Sequence, residues 1–257
     1  MPFIEIEGSS GQRYEKLEAA VEKLAVEEGE IRQALLRLEE VCYVLRDGSR
    51  TGVCIESEIG EGSNRTTMEV LGYLLPLSPH QLGDRGFMKD HGIRLPYMSG
   101  AMANGIASEE LVTAMGKAGL LGSFGAAGLV PSRIEEAIHT IQTSLPGGPY
   151  AFNLIHSPAE DAIERAAAEL FIRHGVNTVE ASAFLDLTPH IVQYRVSGLS
   201  PGHDDQVQIG NRVIAKISRS EVAEKFMRPA PERMLKKLLE EGRITELQAG
   251  LATRLPM

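Results

Sequence analysis

Two charged residues stand inside runs of otherwise apolar or small residues: Glu180 in Val179-Glu180-Ala181-Ser182 and Lys216 in Ile214-Ala215-Lys216-Ile217. A lysine buried alone loses its charge, because desolvation lowers its pKa, so an anion has to lie near Lys216. The two either pair with each other or hold the carbonyls and phosphate of a ligand from corresponding strand ends. Asn153 sits in a third apolar run, Phe152-Asn153-Leu154-Ile155. An amide left unpaired there would cost about 1 to 3 kcal/mol, so it needs a partner, either a ligand's polar edge or a neighbouring loop. His156, just beyond, is either a proton donor or a solvated loop residue.

Two runs of small residues accompany these groups. Ser99-Gly100-Ala101-Met102-Ala103-Asn104-Gly105 would let a flat ring touch backbone directly, or it is simply a tight strand-to-helix turn. Gly122-Ser123-Phe124-Gly125-Ala126-Ala127-Gly128 allows a ligand or a helix to come close, but its glycine spacing is wrong for a dinucleotide fingerprint and no acidic residue ends the next strand. No Ser-His-Asp arrangement, His-Glu-x-x-His, Cys-x-x-Cys or phosphate loop is present. The chemistry is therefore expected to come from a cofactor.

The elements that must position these residues follow a βα rhythm. Strands are expected at 97–101, 121–125, 150–155, 178–181 and 212–217, with helices at 108–118, 131–143, 159–174, 188–196 and 220–226 between and after them. Ser108 with Glu109 and Glu110, and Ser132 with Glu135, mark two helix starts. Such alternation predicts a parallel sheet with crossover helices, and ligands of such folds sit at the carboxyl ends of the strands. Five βα units suit either an open doubly wound sheet or an incomplete (β/α)₈ barrel, and the last stretch, 231–241 and 244–252, reads as two more helices. The first 95 residues differ. Residues 1–70 hold fifteen acids and eight bases, and so carry −7 of the chain's −9. Leu17, Val21, Leu24, Ile31, Leu35 and Leu38 fit an amphipathic helix or helix pair that Gly29 interrupts. Runs at 41–46 and 52–56 flank Asp47-Gly48-Ser49-Arg50, which is hairpin chemistry. Residues 57–95 read as a connector, placing the domain division at 95/96.

Composition narrows the function classes. With 43% hydrophobic and 24% charged residues the chain can bury a core, and the acidic balance argues against a nucleic-acid surface. There is no Trp and little aromatic content for base stacking. No apolar run is long enough to span a membrane, and the acidic start lacks the features of a secretory signal, which together read as a cytoplasmic protein. Cys42 and Cys54 lack metal-ligand spacing and are expected to be reduced, and no metal is expected.

From about residue 40 onward the motifs, in order, resemble the PfaD-type enoyl reductases. These serve polyunsaturated fatty acid and trans-acyltransferase polyketide synthases, within the wider nitronate monooxygenase-like flavin barrels. The matching segments are Leu82-Gly83-Asp84 with Phe87 and His91-Gly92, PYMSGAMANGIAS at 96–108, GSFGAAGL at 122–129, FNLIHSP at 152–158, VEASAFLDLTP at 179–189 and NRVIAKISRSEVAEKFMRPAP at 211–231. The resemblance implies a TIM barrel that binds FMN at its carboxyl face, is reduced by NADPH and passes hydride to an enoyl thioester on an acyl carrier protein. It places the flavin ring over Gly100, Ala101, Met102, Ala103 and Asn104, with Gly125 along the neighbouring wall and Asn153, Glu180 and Lys216 at successive strand ends. Family members continue beyond the position of Met257 with the strands that hold the FMN phosphate and a Gly-Gly-His segment. The expectation is thus a partial barrel, weak in flavin binding alone, whose remaining strands come from another polypeptide or a longer frame. The alternatives are a nitronate monooxygenase-like flavoprotein and a non-catalytic paralogue docking through its acidic N-terminal part.

Overall fold

A computed structural model describes the backbone of residues 4–7 and 13–257, with side chains from residue 16 onward. The chain divides into two compact units, Met1–Asp84 and Arg85–Met257.

In the first unit, strands β1 (Ile4–Glu7), β2 (Arg13–Ala20), β3 (Cys42–Asp47), β4 (Arg50–Ile55) and β5 (Arg65–Leu74) form an antiparallel sheet in the order β1-β2-β5-β3-β4. The expected hairpin is β3–β4, its register running from Cys42 opposite Ile55 to Asp47 opposite Arg50. Gly48 takes the first central turn position with φ of 58°, a conformation that suits glycine and matches the twist of the strands. The helix expected over Leu17 to Leu38 is corrected: apart from a single 3-10 turn at Val21–Lys23, only Glu28–Leu35 is helical (α1), entered through a capping box between Glu27 and Glu30. Gly29 does not break it, since it lies in its first turn. Leu17 pairs with Met68 and Ala19 with Thr66, so the apolar residues before Ala20 obey the period of two of a strand. The connector over 57–95 is likewise corrected, because it contains β5, the strand to which both β2 and β3 pair.

One face of this sheet buries Leu17, Ala19, Tyr43, Leu45, Cys54 and Met68. The other buries Cys42, Val53 and Ile55 against Ile31 and Ala34 of α1. Each large apolar side chain removed from water in this way contributes about 1.5 to 3 kcal/mol.

The second unit carries the βα rhythm. It opens with α2 (Arg85–His91) and continues through β6 (Met98–Ser99), α3 (Glu109–Lys117), β7 (Leu121–Phe124), α4 (Pro131–Ser144), β8 (Tyr150–Ile155), α5 (Asp161–Arg173), β9 (Thr178–Ser182) and α6 (Pro189–Ser197). A small hairpin of β10 (Leu199–Pro201) and β11 (Val207–Ile209), absent from the sequence-based expectation, precedes β12 (Arg212–Ala215). Helices α7 (Ser220–Phe226), α8 (Glu232–Glu240) and α9 (Glu246–Ala252) complete it.

The parallel sheet runs β12-β9-β8-β7-β6, in chain order and without a reversal. A doubly wound sheet must reverse its order at a switch point, so that alternative is excluded. Right-handed crossovers that always step in one direction put every helix on the same face. The sheet accordingly curls into part of a (β/α)₈ barrel, helices outside. Strand parity divides the side chains. Phe124, Phe152, Leu154, Val179 and Ala181 enter the large core shared with the helices. Ser123, Asn153 and Glu180, of opposite parity, face the concave side. At the amino end of that side, Ile93, Phe87 and Met88 meet Leu121, Ala151 and Ile214, so α2 and the residues after it form the floor.

Candidate functional site at the carboxyl ends of the strands

Glu180 is the centre of the site. Its side chain is 1% exposed, yet Lys216 Nζ lies 2.6 Å from Oε1. The backbone N–H of Ala101 donates to Oε2 at 2.8 Å. Burial opposes ionisation of this carboxyl, but the hydrogen bonds from Lys216, Ser123 and the Ala101 N–H outweigh it and hold its pKa below the ordinary glutamate value. Glu180 is therefore a carboxylate that joins the carboxyl ends of β6, β9 and β12. Lys216, by contrast, keeps 58% of its side chain exposed, so one end of the pair is dry and the other open to solvent. Of the two partnerships open to them from the sequence, Glu180 and Lys216 take the one with each other.

Asn153 also finds its partner inside the protein. Its Nδ2 donates to the Glu180 carbonyl at 3.1 Å and to Ser182 Oγ at 2.8 Å, locking β8 to β9 where the two strands end. The two small-residue runs lie against each other. Asn104 N–H donates to the Ala127 carbonyl, Gly105 N–H to that of Gly125, and Gly125 N–H to that of Ala107. Asn104 adopts φ of 57°, a left-handed conformation that asparagine tolerates better than most residues. A Cβ on Gly125 would fall 1.6 Å from the Met102 carbonyl oxygen, so glycine there is required by the neighbouring turn of its own chain. Gly100 is different: a Cβ there would meet only Glu180 Oε1, at 4.0 Å.

His156 does not join this group. Strand parity turns it toward the helices, where its Nδ1 lies 2.8 Å from Oε2 of Glu164 in α5 and its ring stacks on Phe184. Glu164 is itself buried and accepts a further hydrogen bond from Thr188 Oγ1. Nearby, His190 Nε2 lies 2.8 Å from Asp161 Oδ1. These contacts fix the first turn of α5 to the end of β8 and the start of α6.

Ser123, Ser182 and Glu164 escaped the sequence reading. Ser123 carried a signal, because it has the inward parity of β7 two residues before Gly125. Glu164 carried a clearer one. It occupies the stripe that Ala168 and Phe171 continue at helical spacing, and a carboxylate in an apolar stripe needs a partner. Ser182 gave none, since its parity depends on where β9 ends.

No protein-family model matches the chain. Curated relatives do. It is 45% identical over 228 residues to a polyunsaturated fatty acid synthase component of Thraustochytrium sp. (strain ATCC 26185 / S-3), a match that covers 89% of this chain. It is 53% identical over 182 residues to a second component of such a synthase from the same organism, and 43% identical over 182 residues to the polyketide biosynthesis protein PksE of Bacillus subtilis (strain 168). The chain spans only 15%, 9% and 24% of those three proteins. Among solved structures, the enoyl reductase domain of MlnA, from the macrolactin biosynthesis cluster of Bacillus amyloliquefaciens, is similar with a TM-score of 0.66 and 38% identity, over 68% of this chain and 40% of that one. Partial barrel, strand-end motifs and relatives agree: the chain is a relative of the PfaD-type enoyl reductases that its motifs resemble.

Proposed function

We propose that the second unit is the flavin-side part of an enoyl reductase barrel that saturates enoyl thioesters on an acyl carrier protein, with FMN as cofactor and NADPH as electron source, in polyunsaturated fatty acid or polyketide assembly. One observation carries the proposal: an N–H from the β6 turn and the Lys216 ammonium converge on a single buried carboxylate at the carboxyl face of a singly wound sheet. The relatives, a polyketide protein and fatty acid synthase components among them, support that class of chemistry.

The residues present fit a flat, electron-rich ring. Backbone over residues 100–104 is open beside Gly100, where a Cβ would meet only Glu180 Oε1. Gly100, Ala101, Met102, Ala103 and Asn104 would line one side of the ring, with Asn153, Glu180 and Lys216 at the strand ends and Gly125 bracing the turn. When bound, FMN supplies hydride transfer from NADPH to the enoyl carbon. The chain's own contribution is electrostatic. Glu180 fixes Lys216 by one contact and leaves its ammonium at the open side, where it stabilises negative charge on a bound group. Saturating the double bond also consumes a proton. His156, held by Glu164 on the helix side, is given no part in that transfer. The edge strands β6 and β12 would be closed by further barrel strands from a longer frame or a second polypeptide.

The test is to express a complete barrel containing these residues and to measure visible flavin absorbance and NADPH oxidation with an enoyl thioester on a carrier protein. Bound flavin and thioester-dependent oxidation are expected, with Lys216→Ala and Glu180→Gln each weakening flavin retention by about tenfold, equivalent to about 1.4 kcal/mol. A colourless complete barrel, or oxygen consumption with alkyl nitronates in place of enoyl reduction, overturns the proposal.

A further inference from the structure

Away from the carboxyl face, on the outer helix layer, one cluster of side chains is unused by the chemistry above. Glu135 and His139 lie four residues apart on α4, so they share one face a turn apart. His174, the residue that ends α5, brings its Nε2 to 2.8 Å from Glu135 Oε1. Its ring meets that of His139 edge-on, with centroids 5.1 Å apart and planes at 89°. One donor atom from each of the three falls within 4.8 Å of the others.

A plain ion pair between Glu135 and His174 accounts for two of these residues but not for the third. His139 is exposed and its ring makes no hydrogen bond, yet the ring stands edge-on to that of His174. The backbone also holds His174 in place: Gln142 of α4 donates its Nε2 to the His174 carbonyl at 2.8 Å and to the Tyr150 hydroxyl at 3.0 Å. The chain end of α5 is thus fixed to the same helix that presents the other two donors.

We infer that Glu135, His139 and His174 form a binding site for a divalent transition metal of the zinc class. Two imidazoles and a carboxylate are a donor set that such ions favour, whereas magnesium and calcium prefer oxygen alone. Bonds of about 2.0 to 2.2 Å around a tetrahedral ion put donor atoms about 3.3 Å apart, which these side chains reach by small rotations. The side chain of His174 is 15% exposed and that of Glu135 42%, so the ion would sit half-open, with its fourth position taken by water. It would join α4 to the end of α5 on the outside of the barrel, independently of any flavin.

Cobalt(II) titration of the 257-residue chain, followed by visible absorption, tests this, with zinc added as competitor and calorimetry for the affinity. The intense bands of a four-coordinate cobalt site are expected, lost on adding zinc, with magnesium giving no heat. His139→Ala and Glu135→Gln each weaken zinc binding by about tenfold or more, while His80→Ala, at an exposed histidine outside the cluster, leaves it unchanged. Because His139 is exposed, its replacement leaves the helical circular dichroism intact, so a lost site is not a lost fold. Zinc affinity unchanged in both cluster variants, binding only near millimolar zinc, or equal binding of magnesium overturns the inference.

Discussion

The two units differ most in what they bury. Every buried polar or charged residue among those described, including Glu109, Asn153, Glu164, Glu180, His190 and Arg195, belongs to the second unit. The buried residues of the first are aliphatic, sulfur-containing or, at Tyr43, aromatic, with no buried charge among those described, and its ion pairs, such as Lys23 with Glu61 and Arg37 with Glu58, lie on the solvent side. An antiparallel sheet covered by one helix can bury an entirely apolar face. A barrel wall ends its strands in a concave mouth, and polar groups placed there must be matched one by one. At the mouth, chemistry is the reason expected for such matching; on the helix side, at Glu164 and His190, it ties the first turn of α5 to the end of β8 and the start of α6.

The comparison predicts that both cores answer alike to cavities and unlike to charge. Phe152→Ala, which removes a fully buried ring in contact with Phe124 and Phe171, lowers unfolding free energy by about 3 to 5 kcal/mol in denaturant titration. Leu45→Ala in the first unit costs about 2 to 5 kcal/mol by the same mechanism. Equal sensitivity would confirm that both units rest on packed apolar cores, whereas a negligible loss for either would break that half of the comparison.

Charge should separate them. Glu164→Ala strips His156 and Thr188 of their common acceptor and is expected to cost about 1 to 3 kcal/mol, read from the same titration. Lys23→Ala, at an exposed pair of the first unit, should leave the midpoint unmoved. A smaller effect concerns pH. Because the folded pKa of Glu180 lies below its ordinary value of 4.5, its contribution to stability is complete above that value and is lost as pH falls through the lower, folded one. Stability measured from neutral pH down into that acid range should therefore fall less steeply in Glu180→Gln than in the unsubstituted chain. Identical slopes would remove Glu180 from the account.

The smallest effect is chemical. Burial raises the Cys54 thiol to about 11, so little thiolate exists near neutrality and alkylation of the native chain should be slow until denaturant is added. Fast native modification would show that the first unit opens locally.

How far these features were legible depends on the distance over which each is decided. The βα alternation, the helix cap at Ser108 and the β3–β4 hairpin were readable, because each is settled within a few residues by propensity, capping and turn chemistry, whereas the cap expected at Ser132 is corrected: α4 starts at Pro131 behind Val130, and Ser132 lies inside its first turn with no capping hydrogen bond. So were Asn153, Glu180 and Lys216, each conspicuous as a polar group in an apolar run. Residues 17–20 were misread because Leu17 and Val21, four apart, fit helical spacing as well as the even spacing of a strand. The decision lay with β5, a partner far along the chain whose pairing no local window contains.

The amino-acid sequence by itself determined the order of strands and helices in the second unit and the kinds of group at their ends. Those properties are local, and one chain segment at a time suffices to express them. Only tertiary structure decided that the sheet winds in one direction, that Ala101 and Lys216 meet on Glu180, that His156 turns to the helices, and that the space beside Gly125 is filled by the Met102 carbonyl. Strand order, parity and loop contact all join residues distant in the chain, and their free energy exists only once the partners are in place.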